Sequence, residues 1–275
     1  MDDTRRSHFR VPNMTQPIVA VNNTLKEKLA RGEPVYSMTV RLVRTVDIAS
    51  IAYAAGFDTI YIDLEHSSFP LEAAGQISIA AAALGVTPLV RVPSPDPHLI
   101  AKVLDAGAHG ILVPAVQSAE DAHAIVRAVK HAPWGERSMA GPAPQLHYRS
   151  LPAVETVQAL DESSLIVAMI ESQAGLDAVE AIAAVDGIDI ILVGASDLSG
   201  MLGVTGQVDH PLVHQAYLRV IAACKAHGKT VGIGGLGARA DLIRRYLELG
   251  ARFVSTGNDI TFLSAAATQK RQQFA

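Results

Sequence analysis

Short runs of β-branched and other apolar residues recur along the chain at Val35–Val40, Asp58–Ile62, Pro88–Val92, Gly110–Pro114, Leu165–Ile170, Ile188–Val193, Thr230–Ile233 and Phe253–Thr256. Between them, apolar residues fall three and four apart, as at Ile48, Ile51, Ala52 and Ala55 or at Ile100, Val103 and Leu104, which predicts helices that bury one face. The punctuation agrees. Ser94-Pro95-Asp96-Pro97 and Asp209-His210-Pro211 place a capping side chain and a first-turn proline before helices, and Gly56, Gly85, Gly107, Gly228 and Gly250 stand where helices end before the next strand. Strands that alternate with helices pair in parallel, and eight such units close into a (β/α)8 TIM barrel more naturally than into the alternative, an open doubly wound sheet.

No linker divides the pattern, so residues 21–275 read as one barrel domain with a C-terminal helix, and the polar residues 1–20 as a flexible arm. The longest irregular piece is Ala132–Ser164, with PWGERSMAGPAPQLHYRS through its centre, and loops of that length in compact domains are usually functional or mobile. A length of 275 residues suits a single α/β barrel, and 49% hydrophobic against 18% charged residues argues against disorder. The net charge of −4 and the absence of a basic run beyond Arg5-Arg6 give no footprint for nucleic acid or an anionic membrane, which leaves a small-molecule partner. No stretch reaches the roughly 20 apolar residues of a membrane span, and the start carries no apolar signal core. Cys224 is the only cysteine, which excludes an intramolecular disulfide and a multi-thiolate zinc site and fits a reducing cytoplasm. It reads as a buried helix residue, and His131, His147, His210 and His214 as surface residues.

Barrel enzymes place their chemistry at the carboxyl ends of strands. Here the second strand runs into Asp63-Leu64-Glu65-His66, the third into Arg91, the fifth into Glu171-Ser172-Gln173 and the sixth into Gly194-Ala195-Ser196-Asp197. Acids gathered in this way repel one another and lose solvation unless a cation or tight pairing compensates them. A divalent metal on Glu171 and Asp197 is the economical explanation, and two carboxylates without a cysteine or histidine cluster suit Mg²⁺ or Mn²⁺. Two protein ligands leave positions that the carboxylate and keto oxygen of a 2-oxo acid could fill, with Arg91 matching the charge of the keto or enolate oxygen. Each residue also has a plainer reading. Asp197 could cap the following helix, Arg91 could make an inter-strand ion pair, and His66 could be structural rather than an acid/base oriented by Asp63. Glu65 serves as readily through an outer hydrogen bond as directly.

The segments GFDTIYIDLEHSSF, LVRVPSPDPHLIAKVLDAGAHGILVPAVQSAEDAHAIVRAVKHAPWGERSMAG and IVAMIESQAGLDAVEAIAAVDGIDIILVGASDLSGMLG resemble the HpcH/HpaI aldolase family, the metal-dependent class II pyruvate aldolases. The resemblance runs from about Leu25 to the end. It implies a (β/α)8 barrel that cleaves 4-hydroxy-2-oxo acids into pyruvate and an aldehyde, or joins them, with Mg²⁺, Mn²⁺ or Co²⁺ as the ion. Carried onto this chain, Glu171 and Asp197 match the metal ligands, Arg91 the enolate-stabilising arginine, His66 with Asp63 the acid/base pair, and Gly194, Ala195 and Ser196 the turn that holds the pyruvate carboxylate. Asp105 matches a catalytic acid presented to a neighbouring subunit's site, in a homo-hexamer built as a trimer of dimers. Two departures stand beside the ligands: Met169 where the family often shows Gln, and Ala195 where it often shows Pro. Both bear on the contacts to the oxo acid. GERSMAGPAPQLHYRS also departs from the shorter GxRG form, and is expected to shape the aldehyde pocket.

No lysine stands at a strand end, so no Schiff base is called for. Two rival readings remain. An acyl-CoA lyase of the citrate-lyase-like branch would need basic residues for the CoA phosphates, and the strand-end residues singled out above show no such cluster. A noncatalytic small-molecule-binding barrel is never excluded by fold alone.

Overall fold

The alternation of side chains along each strand builds two apolar layers, one on either side of a single sheet. In the computed structural model, which describes residues 21–274, the strands are β1 (Val35–Val40), β2 (Thr59–Asp63), β3 (Thr87–Arg91), β4 (Gly110–Val113), β5 (Leu165–Ile170), β6 (Ile190–Gly194), β7 (Thr230–Gly234) and β8 (Phe253–Asn258). Each run expected from the sequence becomes a strand, and no end is displaced by more than two residues. Neighbours pair in parallel, and β8 returns to pair with β1, so the sheet is closed and the open-sheet alternative is excluded. The arm expected over residues 1–20 lies outside the described residues.

Val35, Tyr61, Leu89, Leu112, Leu165, Val167, Met169, Ile190, Leu192 and Phe253 fill the barrel interior, with Leu25 from the preceding helix (Thr24–Ala30) closing the bottom. The intervening residues, such as Ile60, Ile62, Val90, Ile111, Ile166, Ala168 and Ile170, face outward into the larger core beneath the helices. Burying each such valine, leucine or isoleucine side chain contributes about 1.5–3 kcal/mol. Continuing the same alternation past the strand ends carries Arg41, Asp63, Arg91 and Glu171 onto the inner face, at the rim.

The helix signals act as the sequence suggests. Asp96 accepts a hydrogen bond from His98 N, with Pro97 in the first turn, and all five helix-ending glycines have positive φ, a conformation that costs L side chains about 1 kcal/mol or more. In the second signal, His210 is the cap, accepting from Leu212 N, while Asp209 pairs with Arg239.

The segment Ala132–Ser164 corrects two expectations. Part of it is regular, with a short 3-10 turn at Pro144–Leu146 and a helix over Ala153–Ser163. It also lies at the wrong end of the barrel to shape its own chain's aldehyde pocket. It follows the helix Ala119–Val129 and precedes β5, so it runs across the amino-terminal face of the sheet, where Gln145 donates to the carbonyls of Leu104 and Ala108. His131, expected at the surface, is buried and bonded to Asp161 through Nδ1 at 2.7 Å. Asp105, at the end of the helix Pro97–Asp105, stands at this same base and accepts a hydrogen bond from Arg137 at 2.7 Å. Cys224 is buried as expected, and burial pushes its thiol up to about 12.

Candidate active site

Asp63 and Arg91 are register partners on β2 and β3, so the strand pairing itself brings their side chains together. Arg91 donates from Nε to Asp63 Oδ1 at 2.9 Å and from Nη2 to Oδ2 at 2.5 Å, while its Nη1 lies 3.0 Å from Glu65 Oε2. The guanidinium also rests over the Tyr61 ring, 5.9 Å from its centroid. Burial works against both charges, raising an acid and lowering a base. The mutual hydrogen bonds and attraction win, so the Asp63 carboxyl is held below, and Arg91 above, its ordinary range. The inter-strand ion pair weighed as the plainer reading of Arg91 is therefore present, and it fixes the guanidinium at the mouth.

The structure reassigns Asp63. Its Oδ1 accepts the backbone N–H groups of Glu65 and His66, at 3.0 and 3.1 Å, and its carbonyl accepts from the Ser67 hydroxyl. It holds the turn that carries His66 but does not orient the ring. The nearest acid to the ring is Glu65, whose Oε2 is 3.6 Å from His66 Nε2. The His66 side chain is 51% exposed at the mouth, which disfavours a structural role.

Across the barrel, Glu171 continues the inward row Leu165, Val167, Met169 and leans over the end of β6. A Cβ on Gly194 would lie 2.6 Å from both Glu171 Cγ and Oε1, so only glycine admits this carboxylate. One oxygen, Oε2, accepts the N–H of Ala115 at 3.0 Å, and Ala115 adopts φ of 52° to present it. Burial raises the Glu171 carboxyl above its usual range, and the nearby charges of Asp197 and Glu65 add to the rise, against the opposing Ala115 bond. Asp197 lies in the first turn of the helix Ala195–Met201, whose start has no side-chain cap. Its carboxylate makes no hydrogen bond among the described residues, so the capping alternative does not hold. A Cβ on Gly235, after β7, would fall 2.7 Å from Ser196 Oγ and 2.8 Å from Ser196 N, so glycine lets that turn pass close beside this one. Met169 is buried in the interior layer below Glu171, and Ala195 is fully buried.

One rim residue escaped the sequence reading. Arg41 follows β1 on the inward row, its Nη2 donates to the His66 carbonyl at 2.6 Å, and its Nε lies 3.2 Å from Asp63 Oδ2. Buried Asp259 accepts the N–H groups of Arg41, Leu42 and Val43 at 3.0, 2.9 and 2.8 Å, which pins the turn after β1. Farther along, Arg44 donates to Ser68 Oγ at 2.7 Å. Contrary to the sequence reading, the mouth therefore has a basic edge. Extending the period-two row from Val35 through Ser37 and Thr39 would have found Arg41.

Two acids close enough for their charges to reinforce one another, Glu171 and Asp197, share the mouth of a closed (β/α)8 barrel with a guanidinium held by Asp63, an arrangement suited to a small anionic substrate. The family profile for HpcH/HpaI aldolase/citrate lyase matches residues 42–266. The chain is 38% identical over 255 residues to a 4-hydroxy-4-methyl-2-oxoglutarate aldolase of Hapsidospora irregularis, covering 92% of this chain and 94% of that one. It is 36% identical to a hydroxypyruvate/pyruvate aldolase of Pseudomonas aeruginosa, with 92% of each chain covered. The crystal structure of an HpcH/HpaI aldolase from Desulfitobacterium hafniense superposes with a TM-score of 0.87 at 32% identity, over 91% of this chain and 96% of that one. The chain belongs to the HpcH/HpaI aldolase/citrate lyase family. Among the described residues, no helix is long and apolar enough to cross a membrane.

Proposed function

We propose that this chain is a divalent-metal-dependent aldolase that cleaves 4-hydroxy-2-oxo acids to pyruvate, or a related 2-oxo acid, and an aldehyde, or runs the reverse addition. The observation that carries it is the Glu171 and Asp197 pair. A carboxyl pushed upward first by burial and then by its acidic neighbours, with one backbone hydrogen bond and Gly194 cleared beneath it, fits a cation held by hard oxygens. Two protein carboxylates on a six-coordinate hard cation would leave positions for substrate oxygens. Glu171 and Asp197 would hold Mg²⁺, Mn²⁺ or Co²⁺, whose chemistry here is to polarise the C2 carbonyl of the oxo acid.

The remaining work falls to the chain. Asp63 uses only some of the guanidinium hydrogens of Arg91, so others stay available to the C2 oxygen as it gains charge. His66, exposed at the mouth with Glu65 beside its Nε2, takes the proton of the C4 hydroxyl as the C3–C4 bond breaks. The C4–O bond becomes the aldehyde carbonyl, the bonding electrons collect on the C2 oxygen, and a proton returned to C3 completes pyruvate. The turn from Gly194 to Ser196 is assigned to the donor carboxylate.

Asp105 stands at the base, paired with Arg137, so the catalytic role that the resemblance implies for it would have to be exerted on the site of another copy, as in a homo-hexamer built as a trimer of dimers. Light scattering of the purified protein tests the hexamer. The activity is tested by following cleavage of a 4-hydroxy-2-oxo acid with and without EDTA. Full turnover in excess chelator would remove the metal from the reading. Turnover of an acyl-CoA instead of the oxo acid would move the chain to the citrate-lyase-like branch.

A further inference from the structure

Arg41 stands across the mouth from Glu171. In a closed ring of eight strands β1 lies opposite β5, and Asp63 and Arg91 stand between the two on β2 and β3. If the donor end of a substrate sits against Glu171 and Asp197, its C4 substituent extends past Arg91 and His66 toward β1. There it meets a guanidinium that is held but not saturated. Nη2 is taken by the His66 carbonyl, while Nε is buried without a hydrogen-bond partner, because Asp63 Oδ2 lies out of line. Nη1 has no hydrogen-bond partner among the described residues. A buried donor without a hydrogen-bond partner is costly, and an incoming acceptor oxygen relieves that cost.

The charges point the same way. Asp63 and Glu65 are balanced by Arg91 and Arg41, and Arg44, tied to the same side by Ser68, adds a further positive charge at the rim. The three hydrogen bonds from Arg41, Leu42 and Val43 to buried Asp259 hold this edge rigid, so little side-chain freedom is lost on binding.

We infer that Arg41, seconded by Arg44, is the specificity-determining subsite for a second carboxylate at the acceptor end of the substrate, so that the preferred 4-hydroxy-2-oxo acid is a dicarboxylate whose aldehyde product is anionic. This rests on the aldolase reading above and names the substrate class of that site. A carboxylate is favoured over the phosphates of a CoA because the free donors sit inside the mouth, beside Asp63 and His66, and not on an outer groove.

The test compares kcat/KM for cleavage of 4-hydroxy-2-oxoglutarate and 4-hydroxy-2-oxoadipate, which end in a carboxylate, with that of 4-hydroxy-2-oxopentanoate, which does not. The wild-type chain is expected to prefer at least one dicarboxylate. Arg41→Gln should reduce that preference about 10- to 100-fold, mainly through KM, as expected for the loss of a charge-assisted hydrogen bond. Arg41→Lys should restore part of it, and the exposed Arg44→Gln should reduce it less. Equal losses on all three acids, or no preference in the wild type, would overturn the subsite and leave the aldolase reading standing. Failure to cleave any of them would overturn both. Inhibition by free CoA that Arg41→Gln relieves would reassign the arginines to phosphate and overturn the carboxylate subsite.

Discussion

Asp63 and Arg91 face each other in the β2–β3 register and are joined by two hydrogen bonds, so the most buried acid of the mouth and its central cation form one unit. From sequence alone, Arg91→Ala would be expected to lower turnover far more than it disturbs folding. The fork changes that expectation, because removing either partner leaves a buried charge uncompensated, at about 3–5 kcal/mol. Arg91→Lys keeps the charge but cannot reproduce the fork, and should lower kcat about 10²- to 10³-fold with a smaller loss of stability. Turnover and urea unfolding measured on the same preparation separate the two effects, and an unchanged kcat would remove Arg91 from the reaction. The stability from the depressed Asp63 carboxyl is present above the unfolded value near 3.9, and is lost as pH falls through its lower folded value.

Glu171 has the opposite sign. Its folded carboxyl is raised, so the folded chain keeps a proton to higher pH than the unfolded chain, and stability falls as pH rises from about 4.3 through the folded value. In EDTA at pH 7, Glu171→Gln should therefore melt at a higher temperature than wild type while losing activity. Adding Mn²⁺ at 100 times its Kd should stabilise wild type by about 2.7 kcal/mol. A cation-induced shift of the same size in Glu171→Gln would exclude that residue as a ligand.

Gly194→Ala tests how the acid is seated. The new Cβ would sit 2.6 Å from Glu171 Cγ and Oε1, so the carboxylate must move. The overpacking should cost about 1–3 kcal/mol, and kcat should fall at least tenfold in a chain that still folds by circular dichroism. Wild-type turnover would show that the position of this carboxylate does not matter.

His109, at the base just before β4, is buried with both ring nitrogens unpartnered, and burial lowers it to about 4. The unfolded chain then binds a proton near 6.5 that the folded chain refuses, so stability declines as pH falls from about 6.5 toward 4. Between pH 7 and 5 the loss is about 2 kcal/mol. His109→Leu should remove that slope in urea titrations, and a slope unchanged from wild type would assign it to other groups.

The sequence by itself determined the eight strands, their helices and the acids at the strand ends. Those signals are local: strand alternation and helix periodicity repeat over a few residues, and positive-φ glycines mark each helix end. That Glu171 points into the barrel already follows from Leu165, Val167 and Met169. The tertiary structure alone decided what these side chains do to one another. Asp63 lies next to His66 in sequence, yet strand register gives its carboxylate to Arg91, because a buried acid takes the charged fork within reach over an exposed ring. The segment Ala132–Ser164 looks like a lid when read as a long loop, and only its position between a helix and β5 sends it to the base. Arg41 owes its fixed place at the mouth to Asp259, 218 residues away, a contact that no local pattern encodes and only closure of β8 onto β1 creates.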